Sequence, residues 1–189
     1  MSLRDLINVL PEEHVLKIIE TKPELVDWSE ISANVRLSEE FIERYADRVD
    51  WFNISKYQKL SEPFIEKYKD MLNWYNISKY QKLSEEFIDK YRNKVDWDSI
   101  SSYQKLSEPF IEKYKNYVNW LYISMHQKLS EEFIEKHEYD VNWSVISRYQ
   151  RLSELFIEKH SRDVDWYNIL SYQKHLSNKF RAKHSKRIQ

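Results

Sequence analysis

Two residue types are missing altogether: the chain of 189 residues has no glycine and no cysteine. Without cysteine there are no disulfides, no thiol nucleophile and no thiolate zinc site. Without glycine the phosphate-cradling loops and dinucleotide fingerprints are excluded, because both need backbone N–H groups to approach an anion closely. Glycine is also the common residue of tight hairpins and helix C-caps, so its absence argues against a β-rich fold. Asn and Asp are expected to take any left-handed backbone positions. There is no run of 18 or more apolar residues, so no membrane-spanning helix is expected. The first residues, MSLRDLINVLPEEH, lack the basic start and apolar centre of a signal peptide. An intracellular location is the expectation. The net charge of -1 gives no general attraction to nucleic acid or membranes.

What the chain does have is a period. Tryptophan falls at 28, 51, 74, 97, 120, 143 and 166, always 23 residues apart. Ile54, Leu60 and Phe64 recur with the same spacing. A fixed period of this size is the signature of a solenoid. Each unit contains two helix starts. Asp50 precedes Trp51 as an N-cap, with Val49 and Ile54 at the spacing of a hydrophobic staple. Ser61 caps the second helix, with Leu60 and Ile65 as its staple and Pro63 in the first turn. The unit therefore reads as helix A, WFNISKYQ, and helix B, EPFIEKYKDM. Both are too short to stand alone and must be buried by neighbouring units. The expected core includes Trp51, Ile54, Leu60, Phe64, Ile65, Trp74, Ile77, Leu83, Phe87 and Trp97. Either Tyr57 or Gln58 completes the inner face of helix A by the helical spacing rule.

The predicted fold is all-α: a solenoid of about seven two-helix repeats with capping helices at both ends. Residues 1–25 are expected to form N-terminal capping helices, 26–163 six regular repeats, and 164–189 a divergent seventh repeat with a basic tail, in one continuous domain. The last repeat carries one inserted residue near His175, and Arg181 stands where helix B otherwise has isoleucine. A polar residue there suits a terminal repeat that no further unit covers.

The unit W-x-x-I-S-x-Y-Q-K-L-S-E-x-F-I-E-K-Y resembles the short tandem repeats of uncharacterised proteins from large DNA viruses and some phages. The resemblance covers residues 26–180. It implies an α-helical array and brings no catalytic residues with it. It also implies a location in host cytoplasm or in a virion.

Positions that differ between repeats are released from packing and free to carry recognition. On helix A these follow the Trp: Phe52, Asn53 and Lys56; Tyr75, Asn76 and Lys79; Asp98; Leu121, Tyr122 and Met125; Arg148; and Tyr167. They are expected to point outward as a stripe, opposite Trp and Ile. Several are large and apolar, which suits a surface that holds a protein or peptide partner.

Other chemistry is weaker. His137 and His160 stand where other repeats have Tyr68 or Tyr91, one amphipathic ring replacing another. No HExxH or H-x-x-x-H pair occurs, so neither a metal nor a cofactor is expected. Glu62 with Glu66 is an i, i+4 pair on an exposed face, and Ser61 and Ser84 are helix caps without a partnering base. No catalytic residue is expected. The recurrent cation of the YQK motif (Lys59, Lys82, Lys105, Lys128, Arg151, Lys174) makes a nucleic-acid-binding array the alternative function. An assembly protein of a virus is a third. The acidic first fifty residues and the basic end, with Lys179, Lys183, Lys186 and Arg187, allow weak head-to-tail self-association of an otherwise monomeric chain.

Overall fold

The structure is a computed structural model that describes residues 12–22, 24 and 26–188. Residues 1–11, where a further N-terminal capping helix is expected, lie outside the described residues. Among the described residues there are fifteen α-helices and no strand, arranged as a helical solenoid of 23-residue repeats. Two compact units divide the chain, Met1–Asp96 and Trp97–Gln189.

The first unit contains α1 (Glu12–Thr21), then A and B helices in alternation: α2 (Trp28–Asn34), α3 (Glu39–Arg44), α4 (Trp51–Tyr57), α5 (Glu62–Lys67), α6 (Trp74–Tyr80) and α7 (Glu85–Lys90). The second unit contains α8 (Trp97–Tyr103), α9 (Glu108–Lys113), α10 (Trp120–His126), α11 (Glu131–Lys136), α12 (Trp143–Tyr149), α13 (Glu154–Lys159), α14 (Trp166–Tyr172) and α15 (Asn178–His184). A 3₁₀ turn, Ser185–Ile188, follows and packs on α14 and α15. Within each unit successive A helices lie side by side: α2 on α4 on α6, and α8 on α10 on α12 on α14.

Both helix starts form as the sequence predicts. The Asp50 carboxylate accepts the N–H groups of Phe52 and Asn53, and Ser61 Oγ accepts that of Phe64. The ends differ from expectation. Helix A stops at an extended residue, Gln58 (φ -88°, ψ 152°), and helix B stops at Lys67 because Tyr68 leaves the helical region (φ -109°, ψ 22°). Residues 68–71, expected to continue helix B, form a turn closed by Met71 and Leu72 N–H on Tyr68 O. Among the described residues none has a positive φ, so Asn and Asp fill no left-handed positions. The lack of glycine follows directly, since no turn of the repeat needs it.

Within each unit two isoleucine ladders line the core, Ile54-type on the A helices and Ile65-type on the B helices, all fully buried. Each contributes about 1.5–3 kcal/mol by burial. Leu60, Phe64, Ile77, Leu83 and Phe87 are buried with them. Trp51, Trp74 and Trp97 are only half-buried. The ring of Trp51 stacks on Tyr68 with centroids 4.8 Å apart, and its indole N–H reaches back 3.0 Å to Ala46 O, which holds one edge at the surface.

Of the two candidates for the inner face of helix A, it is glutamine that turns inward. Gln58 Nε2 donates to the carbonyls of Ser32 (2.9 Å) and Val35 (2.8 Å), and its Oε1 accepts from Leu37 N–H (2.9 Å). All three partners belong to the preceding repeat. Gln81, Gln127, Gln150 and Gln173 repeat the pattern, and each is at least nine-tenths buried. Ser55 adds a second rung: its Oγ donates to Trp51 O (2.6 Å) and accepts the N–H of the next cap, Asn73 (2.9 Å).

The first and seventh repeats depart from the motif at these rungs. The first repeat has Val35 in the glutamine position. The seventh has Leu170 where other repeats have the rung serine. There the guanidinium of Arg181 donates to Leu170 O (2.6 Å) and Gln173 O (2.5 Å), the two carbonyls a following glutamine would take. The replacement of isoleucine by Arg181 thus has a more specific cause than a polar outer face.

Gln150→Leu strips Ser124 O and Gln127 O of their donor and Leu129 N–H of its acceptor. Urea unfolding is expected to show a loss of about 3 kcal/mol or more. Arg181→Ala is expected to lower the unfolding midpoint less, since that end is closer to solvent.

Candidate functional site

Most polar letters of the repeat are committed to joining neighbours. Glu62, with its expected like-charge partner Glu66, turns out to bind the next repeat. The Glu62 carboxylate accepts Ser84 N–H (2.6 Å) and Ser84 Oγ–H (3.1 Å). Glu39 does the same for Ser61, Glu108 for Ser130 and Glu131 for Ser153. Glu66 meets Lys90 at 2.5 Å, Glu43 meets Lys67 at 2.7 Å, and Glu135 pairs with Lys159. Exposed pairs of this kind add little individually. Their effect here is to consume the B-helix charges.

The asparagines of the expected stripe are consumed likewise. Asn76 is buried, against its expected outward position, and its Nδ2 donates to Phe52 O. Asn53 donates to Ser29 O and Oγ and to the cap Asp50, and Asn168 makes the same set with Ser144 and Asp165. The third helical position faces the neighbouring A helix, so its side chain serves the junction. The rest of the stripe lies at the surface. Phe52, Tyr75, Leu121 and Tyr167 are 41–63% exposed, Asp98 and Arg148 are exposed, and Lys56, Lys79, Tyr122 and Met125 are half-exposed.

A second set on the same face was not anticipated. Tyr57, Tyr80, Tyr103, Tyr149 and Tyr172 are 44–58% exposed although they recur, and His126 replaces them in one repeat. Cations sit between successive rings. Lys56 Nζ lies 4.7 Å from the Tyr57 ring centre and 5.8 Å from that of Tyr80. Arg148 lies 5.2 Å from Tyr149 and 4.4 Å from Tyr172. The Lys56 ammonium is stabilised in its charged form, first by the Tyr57 hydroxyl, and its pKa is raised. Two residues after each of these rings, His126 included, comes Lys59, Lys82, Lys105, Lys128, Arg151 or Lys174, every one exposed and without an ion pair among the described residues. Recurrence in the sequence marks these tyrosines, and only their exposure in the structure separates them from recurring residues that pack.

Elsewhere the chemistry is structural. His137 stacks on Trp120 (4.6 Å) and Phe133 (4.6 Å), as Tyr68 does on Trp51 and Phe64. Its Nε2 meets Glu112 at 2.7 Å and its Nδ1 meets Asp140 at 2.9 Å. Lys136 Nζ lies 2.9 Å from the same Glu112 oxygen. No group of three or more His, Asp or Glu suited to a metal occurs among the described residues. Two hollows, each of about 300 Å³ and open to solvent, lie over Pro63 and Phe87 and beside Ser29 and Asn53. No helix among the described residues is long and apolar enough to cross a membrane. At the C-terminal end Lys183 pairs with Glu158 at 2.7 Å and Arg187 covers the Trp166 ring at 4.5 Å, so part of the expected basic tail is folded back. Compared with known protein families, curated proteins and solved structures, the chain finds no match.

The Glu112 carboxyl is held down to about 2, chiefly by the hydrogen bond from Lys136 and then that from His137. A depressed carboxyl stabilises the fold above its ordinary value and loses that contribution as pH falls through the folded one. The difference in urea midpoint between the parent and Glu112→Gln is therefore expected to be constant above about pH 5 and to close toward pH 2. The surface set should behave oppositely to the rungs. Tyr57→Ser and Tyr149→Ser are each expected to change stability by less than about 1 kcal/mol.

Proposed function

We propose that this chain is a non-enzymatic helical-repeat scaffold that holds an extended partner along the outer face of its A helices. One observation carries the reading. The recurring polar residues of the repeat junctions are bonded to a neighbouring repeat, whereas the cations Lys59, Lys82, Lys105, Lys128, Arg151 and Lys174 recur at the surface with no ion pair among the described residues, beside half-exposed A-helix rings. A position kept the same across repeats but left at the surface is one that folding does not explain. The exposed, varying first-turn residues, Phe52 and Tyr75 in the first unit and Leu121 and Tyr167 in the second, add individuality to their own repeats. Solenoids use such continuous faces for binding.

The test replaces Phe52, Tyr75, Leu121 and Tyr167 together by Ser and compares partner capture from native lysate. The variant is expected to keep its helical circular dichroism and to lose bound material. Unchanged capture by a folded variant would remove this face from the binding function.

A further inference from the structure

The partner that best fits this face is set by its charge and its rings. In the first unit, segments 51–60 and 74–83 carry Lys56, Lys59, Lys79 and Lys82 and no acid. In the second, the corresponding A-helix segments carry cations in every repeat against Asp98 alone. The near-neutral net charge thus conceals a separation. B-helix acids such as Glu62, Glu66 and Glu43 are turned toward serine N–H groups and lysines of the next repeat, and the A-helix segments from Trp51 onward are left basic. That segregation removes the objection that overall charge raises against a polyanionic partner.

Resting on the scaffold reading above, we infer that the occupant of this face is single-stranded nucleic acid, its phosphates on the Lys59-type cations and its bases on the Tyr57-type rings. Each repeat after the first, which has Asn34 at this place, offers one flat ring (His126 in one of them) and one unpaired cation. Neighbouring packed helices are about 8–10 Å apart, so these elements recur in step with the repeat, as in helical arrays that take one base each. Aromatic faces accept any base, and a cation beside the ring strengthens the stack. An acidic peptide would use the cations but has no need of a ring in every repeat. The face also lacks the sheet edge or apolar groove through which peptides are usually held. A duplex would keep its bases stacked inside and leave the rings idle.

The experiment is fluorescence anisotropy of the full chain with a labelled oligouridylate of about 20 nucleotides, the same length of RNA duplex, and polyglutamate, at about 50 mM salt. Binding of the single strand at micromolar protein is expected, at least about tenfold tighter than the duplex or polyglutamate. Replacing Tyr57, Tyr80, Tyr149 and Tyr172 by Ser should weaken it about tenfold or more with the salt dependence unchanged. Replacing Lys59, Lys82, Lys128 and Arg151 by Gln should instead flatten the salt dependence, by roughly 0.7 of a unit in log–log slope per lost phosphate contact. Absence of single-strand binding, or duplex or polyglutamate binding of equal strength, overturns the inference. Equal binding of polyglutamate that is still lost in the lysine variant leaves the scaffold reading standing with an acidic peptide as partner. Because the tyrosine and lysine sets fail differently, misfolding of one variant does not remove the test.

Discussion

Within each unit a buried carboxamide, at Gln58 and Gln81 in the first and at Gln127, Gln150 and Gln173 in the second, fixes how a repeat meets the one before it. Apolar ladders supply most of the burial free energy, but apolar contact is not directional and would tolerate sliding. The glutamine does not. Its amide N–H₂ group finds two carbonyls and its oxygen finds a leucine N–H at one offset only. A slip would leave several buried polar groups unpaired, each costing about 1–3 kcal/mol. Helices of seven and six residues, unable to persist alone, are thereby locked into one register.

The same requirement orders the rest of the chain. The glutamine needs open carbonyls at the end of the preceding A helix, so that helix ends in an extended residue and not in a left-handed cap. Glycine has no role left to fill. The first and seventh repeats change letters at the rungs: Val35 stands at the glutamine position of the first, Leu170 at the serine position of the seventh, and there Arg181 supplies the donors to Leu170 O and Gln173 O. With the junction polar groups consumed, the exposed cations and rings of the A helices stand out within each unit.

Period, helix starts, caps and isoleucine ladders were legible in the sequence because they depend on residues within a few positions of one another. The inward glutamine was not. Helical spacing admits Tyr57 or Gln58, hydropathy favours the tyrosine, and the deciding carbonyls belong to residues 23 and 26 positions earlier. Glu62 and Glu66 looked like a repelling surface pair for the same reason, since their partners are 22 and 24 residues away. On the candidate face, variation correctly marked Phe52, Tyr75, Leu121 and Tyr167 as surface residues but included Asn76, whose partner lies in the neighbouring A helix. Recurrence hid Tyr57 and its equivalents, because a repeated letter ordinarily means packing.

The central claim concerns the leucine amides that the glutamines accept. Leu60, Leu106 and Leu129 sit in connections between helices, where amides ordinarily exchange fast. Native-state hydrogen exchange measured residue by residue tests the claim most directly. If the glutamine rungs lock the repeats together, these leucine amides exchange as slowly as the Ile54-type amides of the core, through the same cooperative opening. Exchange at the rate of the exposed turn residues would show that the junctions open independently of the core, and would contradict the account.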